Sequence, residues 1–456
     1  MRLVLLSGGS GKRLWPLSNN SRSKQFIKAL LNEEGEYESM IQRVWRQIEA
    51  AGLNQNISIA TSKTQKEILI NQLGHNVDII VEPERRDTFA AIALASLFLY
   101  KKKNVDLNEI IVVLPVDPFV ENEFFGMIKQ MEIAIQETNA DLALLGVLPT
   151  YPSEKYGYII PKQKYSDFFF QVDYFKEKPT ECEAESLIKN NALWNCGVFA
   201  FRLGYIISIL KEKKLSLEYE LFLKNYNHIP KNSFDYEVVE NTENIIVIPY
   251  RGYWKDIGTW NTFTEELSDS VLGKGFINSD ILNHNNHIVN ELDIPIALVG
   301  LTDVVVAASP DGILVSTKEA SSQVKEIANK FDGRLMYEER RWGWYRVLDH
   351  TVQEDQKEIL TRKIHLSSGK NLSYHSHDKR IEIWIVLNGQ GECIIEGEKI
   401  YIKAGDTLKI DKKMKHALKA LSDLEFIETQ IGTELSESDI KRYYLEWYEI
   451  IEKIIK

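Results

Sequence analysis

Glycines and cations crowd the amino terminus in a pattern suited to holding phosphate. Four apolar residues, Leu3 to Leu6, predict a short buried strand. Ser7, Gly8, Gly9 and Gly11 follow as a loop, then Lys12 and Arg13, with Lys24 a little further on. Glycine lets a backbone turn sharply and bring its N–H groups close to an anion. Arg13 and Lys24 add the positive charge that phosphate oxygens accept. The expectation is a nucleotide site, and two common glycine motifs are excluded as its basis. A P-loop built on Gly11-Lys12 would need Gly and Ser/Thr where Leu6 and Arg13 stand. A dinucleotide fingerprint built on Gly9 and Gly11 would need a third glycine where the chain has Leu14.

A second constellation lies near the carboxyl terminus. His375 and His377 are two residues apart, so on one strand both imidazoles face the same side. Glu382 reaches that face only if Asp378-Lys379-Arg380 bends, and His416 could join from a later strand. Imidazoles with one carboxylate suit Zn, Mn, Fe or Ni. The four residues are expected to hold Zn²⁺ or another divalent transition metal.

The elements that must position these groups are legible as well. Short aliphatic runs at Ile57–Thr61, Val77–Val81, Ile110–Leu114 and Leu142–Leu145 alternate with helical stretches at Lys63–Gln72, Thr88–Lys102 and Glu123–Thr138. That alternation predicts a parallel, doubly wound sheet with ligands beyond the carboxyl ends of its strands. From Gly275 to Lys330, short strands at Ile281, Ile288, Ile296, Val304 and Ile313 are divided by polar turns, with one helix near Ser321–Phe331. Beyond Gly343, strands recur between glycine turns such as Asn388-Gly389 and Ala404-Gly405, as in a sandwich or barrel. Ile440, Tyr444, Trp447, Ile451 and Ile455 predict an amphipathic helix to finish the chain.

The string Gly8-Gly-Ser-Gly-Lys-Arg-Leu-Trp-Pro-Leu17, with Lys24-Gln25-Phe26, resembles the signature of the sugar-1-phosphate nucleotidyltransferases, in the mannose-1-phosphate guanylyltransferase version. Further segments resemble that family in the same order: Glu82-Pro83 to Arg86-Asp87-Thr88, Leu114-Pro-Val-Asp117, Tyr156-Gly157, Glu177-Lys178-Pro179, Trp194-Asn195 and Trp254-Lys-Asp256. The resemblance implies that Arg13, Lys24, Asp117, Lys178 and Asp256 carry catalysis. It implies nucleotide contacts from Ser7, Gly8, Gly9, Gly11, Arg13, Lys24, Glu82, Arg86, Asp87 and Thr88. Tyr156, Gly157, Glu177, Lys178 and Asn195 would face the sugar phosphate, and Asp117 and Asp256 would hold Mg²⁺. In such a transfer a phosphate oxygen attacks the nucleotide's α-phosphorus and pyrophosphate leaves, so two anions must be brought together by positioning and charge neutralisation. Asp87 stands where the family has Asn, and Pro118 where it has His.

The histidine segment resembles a cupin, and with Arg341-Trp342-Gly343 and Asp439-Ile440-Lys441-Arg442 it resembles the mannose-6-phosphate isomerase modules fused to these transferases. His375 replaces a ligand Gln of that pattern, and Lys379 stands in place of a His. The implied fold class is α/β: a doubly wound, Rossmann-like nucleotidyltransferase domain (1–270), a small β-helix-like connector (271–335), a cupin β-barrel (336–434) and a terminal helix (435–456). The implied partners are GTP, mannose 1-phosphate and, for the cupin, mannose 6-phosphate. Two alternatives stay open: a related sugar or base for the transferase, and a cupin that only binds or assembles.

Composition sets outer limits. A chain of 456 residues exceeds one ordinary core, and two or three domains are expected. A net charge of −11 disfavours nucleic acid and makes any phosphate pocket a local cationic island. The apolar run from Ile294 to Ala308 is broken by Asp303 and too short to span a bilayer. The four-residue apolar run at Leu3 does not resemble a signal peptide, and Cys182, Cys196 and Cys393 form no paired spacing. A cytoplasmic protein without membrane contact is therefore expected; a homo-oligomer is expected too, its subunit number left open.

Overall fold

Leu3, Val4 and Leu5 are fully buried in the strand Arg2–Ser7, which lies inside a nine-stranded sheet. The structure is a computed structural model, and it describes the chain except residues 10, 75–76, 165–167, 279–283, 332 and 456, and the side chains of 163–164. Ser10 of the glycine loop and the expected strand residue Ile281 lie outside the described residues.

The chain forms two compact units. The first takes most of residues 1–269 and is built on the large sheet. Its strand order is Asp78–Glu82, Ile57–Ser62, Arg2–Ser7, Ile110–Pro115, Leu193–Arg202, Leu142–Val147, Ile245–Tyr250, Phe170–Lys176 and Tyr158–Lys164. The first four of these are parallel, as expected. The whole sheet is not: Leu193–Arg202 runs antiparallel to both neighbours, and the hairpin 158–176 adds antiparallel strands at one edge. That hairpin reverses the chain before residue 193. An apolar strand buried on both faces carries no mark of its direction.

Helices cover the sheet. Met40–Ala50 opens with a reciprocal cap, Ser39 accepting from the Gln42 N–H while the Gln42 side chain accepts from the Ser39 N–H. Asp87–Lys101 is rich in alanine and leucine and buries ten residues, so it is apolar on most of its circumference. Glu123–Thr138 forms with the expected bounds. A short ribbon matters more for chemistry than any helix: Pro118–Val120 pairs antiparallel with Trp254–Asp256, placing Asp256 opposite Pro118.

The second unit begins with stacked parallel rungs, Val271–Gly273, His287–Asn290 and Val304–Ser309, closed by the antiparallel strand Gly312–Thr317. Ile288, Leu298, Val304 and Val306 fill the space between the rungs. The buried Asn290 side chain donates to Lys274 O and Ile294 O, both at 2.7 Å. Gly273 has φ +89°, and a Cβ there would stand 1.9 Å from Asn290 O, so the rung admits glycine alone.

Two antiparallel sheets follow. One has the order 337–340, 343–352, 358–366, 424–432, 380–388, 407–410; the other runs 398–403, 390–395, 416–420, 374–377, 440–444. Trp384, Phe426, Leu366, Leu418 and Leu424 pack between them. The expected terminal helix over 435–456 is corrected here. Ile440–Tyr444 is a strand paired with Tyr374–His377, and the helix is confined to Trp447–Ile454. Trp15–Arg22 and Glu67–Gln72 also belong to this unit. Trp15 stacks on Phe331 at 4.9 Å, Arg22 forms a two-pronged bond to Glu291 at 2.8 and 2.9 Å, and Ser309 donates to Pro16 O at 2.7 Å.

Candidate functional site

The glycine loop leaves the sheet at Ser7, whose buried carbonyl accepts from Gln25 Nε2 and Thr61 Oγ1, each at 3.2 Å. Gly8 and Gly9 are exposed and Gly11 is buried. Gly9 takes φ +134° although a Cβ there would meet nothing within 4 Å; the backbone turn itself calls for glycine. Gly8 runs over Glu82, whose Oε1 is 3.6 Å from where a Cβ would stand. The other Glu82 oxygen accepts from the Tyr226 hydroxyl at 2.7 Å, and burial raises its pKa.

Asp117 follows the carboxyl end of Ile110–Pro115, and the adjoining ribbon delivers Asp256 beside it. Lys24 joins them: its Nζ lies 2.9 Å from Asp117 Oδ2 and 3.0 Å from Asp256 Oδ1. Burial lowers the ammonium's pKa, but the two carboxylates outweigh it and the net shift is upward. Arg13 is exposed and approaches the same place. Where a Cβ of Gly258 would stand, Asp256 Oδ2 is 3.0 Å away and Arg13 Nη1 3.4 Å. Arg13, Lys24, Asp117 and Asp256 thus come together from four separate stretches of chain.

Trp254 leads from this group to the sugar-side residues. Its ring lies 5.6 Å from Tyr156, which also packs on Trp194 at 4.7 Å. Burial, and then the charge of Asp256, raise the Tyr156 pKa. Gly157 admits no side chain, since a Cβ would meet the Phe175 ring at 2.4 Å and Glu177 Oε2 at 2.5 Å. The Glu177 side chain is only 6% exposed and pairs at 2.8 Å with Lys178, whose side chain is half-exposed. Asn195 donates to Asp235 Oδ1 at 2.6 Å and accepts from the Gly197 N–H at 3.1 Å. Burial, and then repulsion from Glu177, push Asp235 up to about 6. The sequence reading missed Asp235, because a lone Asp near the start of a four-residue helix looks like any turn former.

Arg86 and Thr88 find local partners. Arg86 donates to Glu84 Oε1 at 2.6 Å and Ile229 O at 2.9 Å, and Thr88 Oγ1 accepts from the Phe234 N–H at 2.8 Å. Asp87 opens its helix at φ +66°, with its own carboxylate accepting from the Thr88 N–H.

In the second unit, His375 and His377 share one strand face as expected, and register brings His416 opposite His375. One nitrogen from each of the three imidazoles lies within 4.8 Å of the others. His375 Nδ1 sits 2.7 Å from Ser373 O and His416 Nδ1 3.0 Å from Met414 O, which turns each Nε2 inward. Two buried nitrogens, His416 Nε2 and His377 Nδ1, lack hydrogen-bond partners. Burial, then the neighbouring imidazoles, lower the His375 pKa well below its ordinary value and favour the neutral, ligating form.

Glu382, expected as a fourth member of this set, lies beside two of the histidines, 3.7 Å from His416 Nε2. It lies 3.0 Å from His377 Nε2, while its oxygens accept from Arg380 Nε, Gln430 Nε2 and Trp384 Nε1, each at 3.1 Å. Arg380 and Trp384 flank Glu382 at alternate positions of one strand, Arg380–Asn388, whereas Gln430 comes from the paired strand Leu424–Gly432 and has no mark in the local sequence. Beside the cluster a cavity of about 170 Å³ is lined by His375, Glu382 and a set of arginines that includes Arg341, Arg380 and Arg442.

The fold and site define a nucleotidyl-transfer unit followed by a β-helix and a cupin-type β-domain that carries the three-histidine cluster. Residues 2–271 match the nucleotidyl transferase family, 281–331 the MannoseP isomerase/GMP-like beta-helix domain, and 332–444 the mannose-6-phosphate isomerase C-terminal family. The chain belongs to the mannose-1-phosphate guanylyltransferase family. It is 30% identical to the mannose-1-phosphate guanylyltransferase RfbM of Salmonella typhimurium over 96% of both chains. It is 27% identical to the alginate biosynthesis protein AlgA of Pseudomonas aeruginosa, over 96% of this chain and 95% of that one. A solved structure from Thermus thermophilus, described as a mannose-1-phosphate geranyltransferase, matches with a TM-score of 0.61 at 27% identity, covering 73% of this chain and 99% of that one. Among the described residues no helix is long and apolar enough to cross a membrane.

Proposed function

We propose that the first unit forms GDP-mannose and pyrophosphate from GTP and mannose 1-phosphate. The observation that carries this is the convergence of Asp117 and Asp256 on one point, with Lys24 between them and Arg13 alongside. Oxygen donors from the strand Trp254–Asp256 and from the residue just before its partner strand suit Mg²⁺, which commonly takes one or two carboxylates together with substrate phosphates. Bound there, the ion would neutralise charge developing on the phosphates. Arg13 and Lys24 bind phosphate oxygens, the glycine loop offers backbone N–H groups, and Glu177, Lys178 and Asn195 orient the sugar phosphate. The test incubates the purified chain with GTP, Mg²⁺ and a panel of sugar 1-phosphates. Pyrophosphate is expected with mannose 1-phosphate; none with that substrate would overturn the assignment.

The second unit supports a further reading, interconversion of mannose 6-phosphate and fructose 6-phosphate at the histidine cluster. Two buried ring nitrogens that make no hydrogen bond, one of them 3.7 Å from Glu382, fit a divalent transition metal, and the arginine-lined cavity beside them fits a phosphate. The metal would hold substrate oxygens while a protein base moves a proton between neighbouring carbons. His377→Ala is expected to abolish isomerisation and leave pyrophosphate release intact. Equal isomerisation by the variant and the wild type would sink this reading.

A further inference from the structure

The point between Asp117 and Asp256 already holds a cation, and that cation belongs to the chain. The Lys24 ammonium contacts one oxygen of each carboxylate, at 2.9 and 3.0 Å. A divalent ion shared by the same two carboxylates would have to stand beside Nζ, where like charges repel strongly in a partly buried place. The backbones that carry the two carboxylates are held, because strand pairing sets Asp256 opposite Pro118, the residue after Asp117. Lys24 can move: its charge rides on a flexible four-carbon stem.

We propose that Lys24 gates the divalent-cation site. In the nucleotide-free protein its ammonium closes the gap between Asp117 and Asp256, and the triphosphate opens that gap by drawing the ammonium onto its own oxygens. This rests on the reading that the two carboxylates hold the ion. Phosphate oxygens are strong charge-assisted acceptors for a lysine. They also supply the negative charge that Lys24 otherwise finds in the carboxylates. Arg13, exposed and close to Asp256, marks the side from which the phosphates arrive. Cation and nucleotide are therefore coupled through one side chain, and the coupling is reciprocal. Lys24 both binds phosphate and keeps the acidic pair neutralised until phosphate is present.

The test measures Mn²⁺ binding to the full chain, without nucleotide, by loss of the free-ion paramagnetic resonance signal. Lys24→Met removes the charge and is expected to bind Mn²⁺ at least about tenfold more tightly than wild type. Lys24→Arg keeps the charge and is expected to bind as weakly as wild type. The double variant Lys24→Met/Asp117→Asn is expected to lose the gain, which locates the ion. A Lys24→Met protein that binds no tighter than wild type overturns the gate, as does equal tightening by Lys24→Arg. If no form binds Mn²⁺ even with a non-hydrolysable GTP analogue, the metal reading itself falls and takes the gate with it.

Discussion

Asp117 and Asp256 share one neutralising partner, Lys24, so neither carboxylate stands alone in the resting site. Converting either to Asn keeps its shape while removing charge that must help manage the meeting of two anions. Each variant is expected to lower kcat for pyrophosphate release by roughly 10²–10³-fold, the scale of losing one preorganised electrostatic group. A loss confined to KM would show that the carboxylate binds substrate without acting on the transition state. Asp235 makes a second prediction at this scale. Its pKa rises from 3.8 to about 6, by burial first and Glu177 second. Between those values the native state keeps a proton that the unfolded chain has lost, so this group makes stability fall as pH rises through that window. Asp235→Asn should gain on wild type by on the order of 2 kcal/mol between pH 4 and pH 7. Denaturant unfolding of both proteins across that range checks this; parallel profiles would refute it.

Single elements carry the next level of positioning. Gly157 precedes the strand Tyr158–Lys164 and accepts from the Asn195 N–H at 2.8 Å. The close approach of Phe175 and Glu177 leaves no room for a Cβ, so Gly157→Ala must push one of them aside. The expected cost is about 1–3 kcal/mol of stability, together with a raised KM for the sugar 1-phosphate. Unfolding midpoints and initial rates separate the two effects. In the second unit, Ile440–Tyr444 pairs with the strand that bears His375 and His377, and Trp447–Ile454 packs on Tyr374, Ile394 and Ala417. Ending the chain before Ile440 would leave the histidine strand unpaired on one side. If the cluster binds Zn²⁺ as proposed, the truncated chain is expected to retain less of it than the full chain, read by metal analysis after gel filtration. The sequence suggested a helix for this stretch for a definable reason. Ile440 and Tyr444 are four apart, and that spacing shares a face in a helix and in a strand alike.

At the scale of the whole molecule, the stretch between Arg13 and Lys24 folds with the second unit. Trp15 covers Gly312, which has φ +152° and would place a Cβ 2.5 Å from the indole, and Asn19 donates to Asp311 at 2.7 Å. A fragment of residues 1–270 would keep every proposed transferase residue and lose these partners. It is expected to melt at least several degrees below the full chain and to release pyrophosphate more slowly, because about 1–2 kcal/mol is a large share of a domain's stability. Calorimetry and the same pyrophosphate assay on both proteins test this; indistinguishable melting and rates would show that residues 15–22 need no such support.

Much of this was legible in the residues themselves. Chain-local chemistry announces itself: an aliphatic run followed by glycines and cations, His-x-His on a strand, and alternating strand and helix patterns all depend on neighbours in sequence. The amino acids alone therefore determined the order of modules, the glycine loop and the residue types available for phosphate and metal. Tertiary structure decided everything that turns on who meets whom. It reversed Leu193–Arg202 within the sheet, paired the final strand with the histidines, set Asp235 beside Asn195, and tied Glu382 to Gln430. Above all, it put Lys24 between Asp117 and Asp256. Propensity and periodicity act over a few residues, whereas such meetings depend on the register and direction of strands paired far apart in the chain.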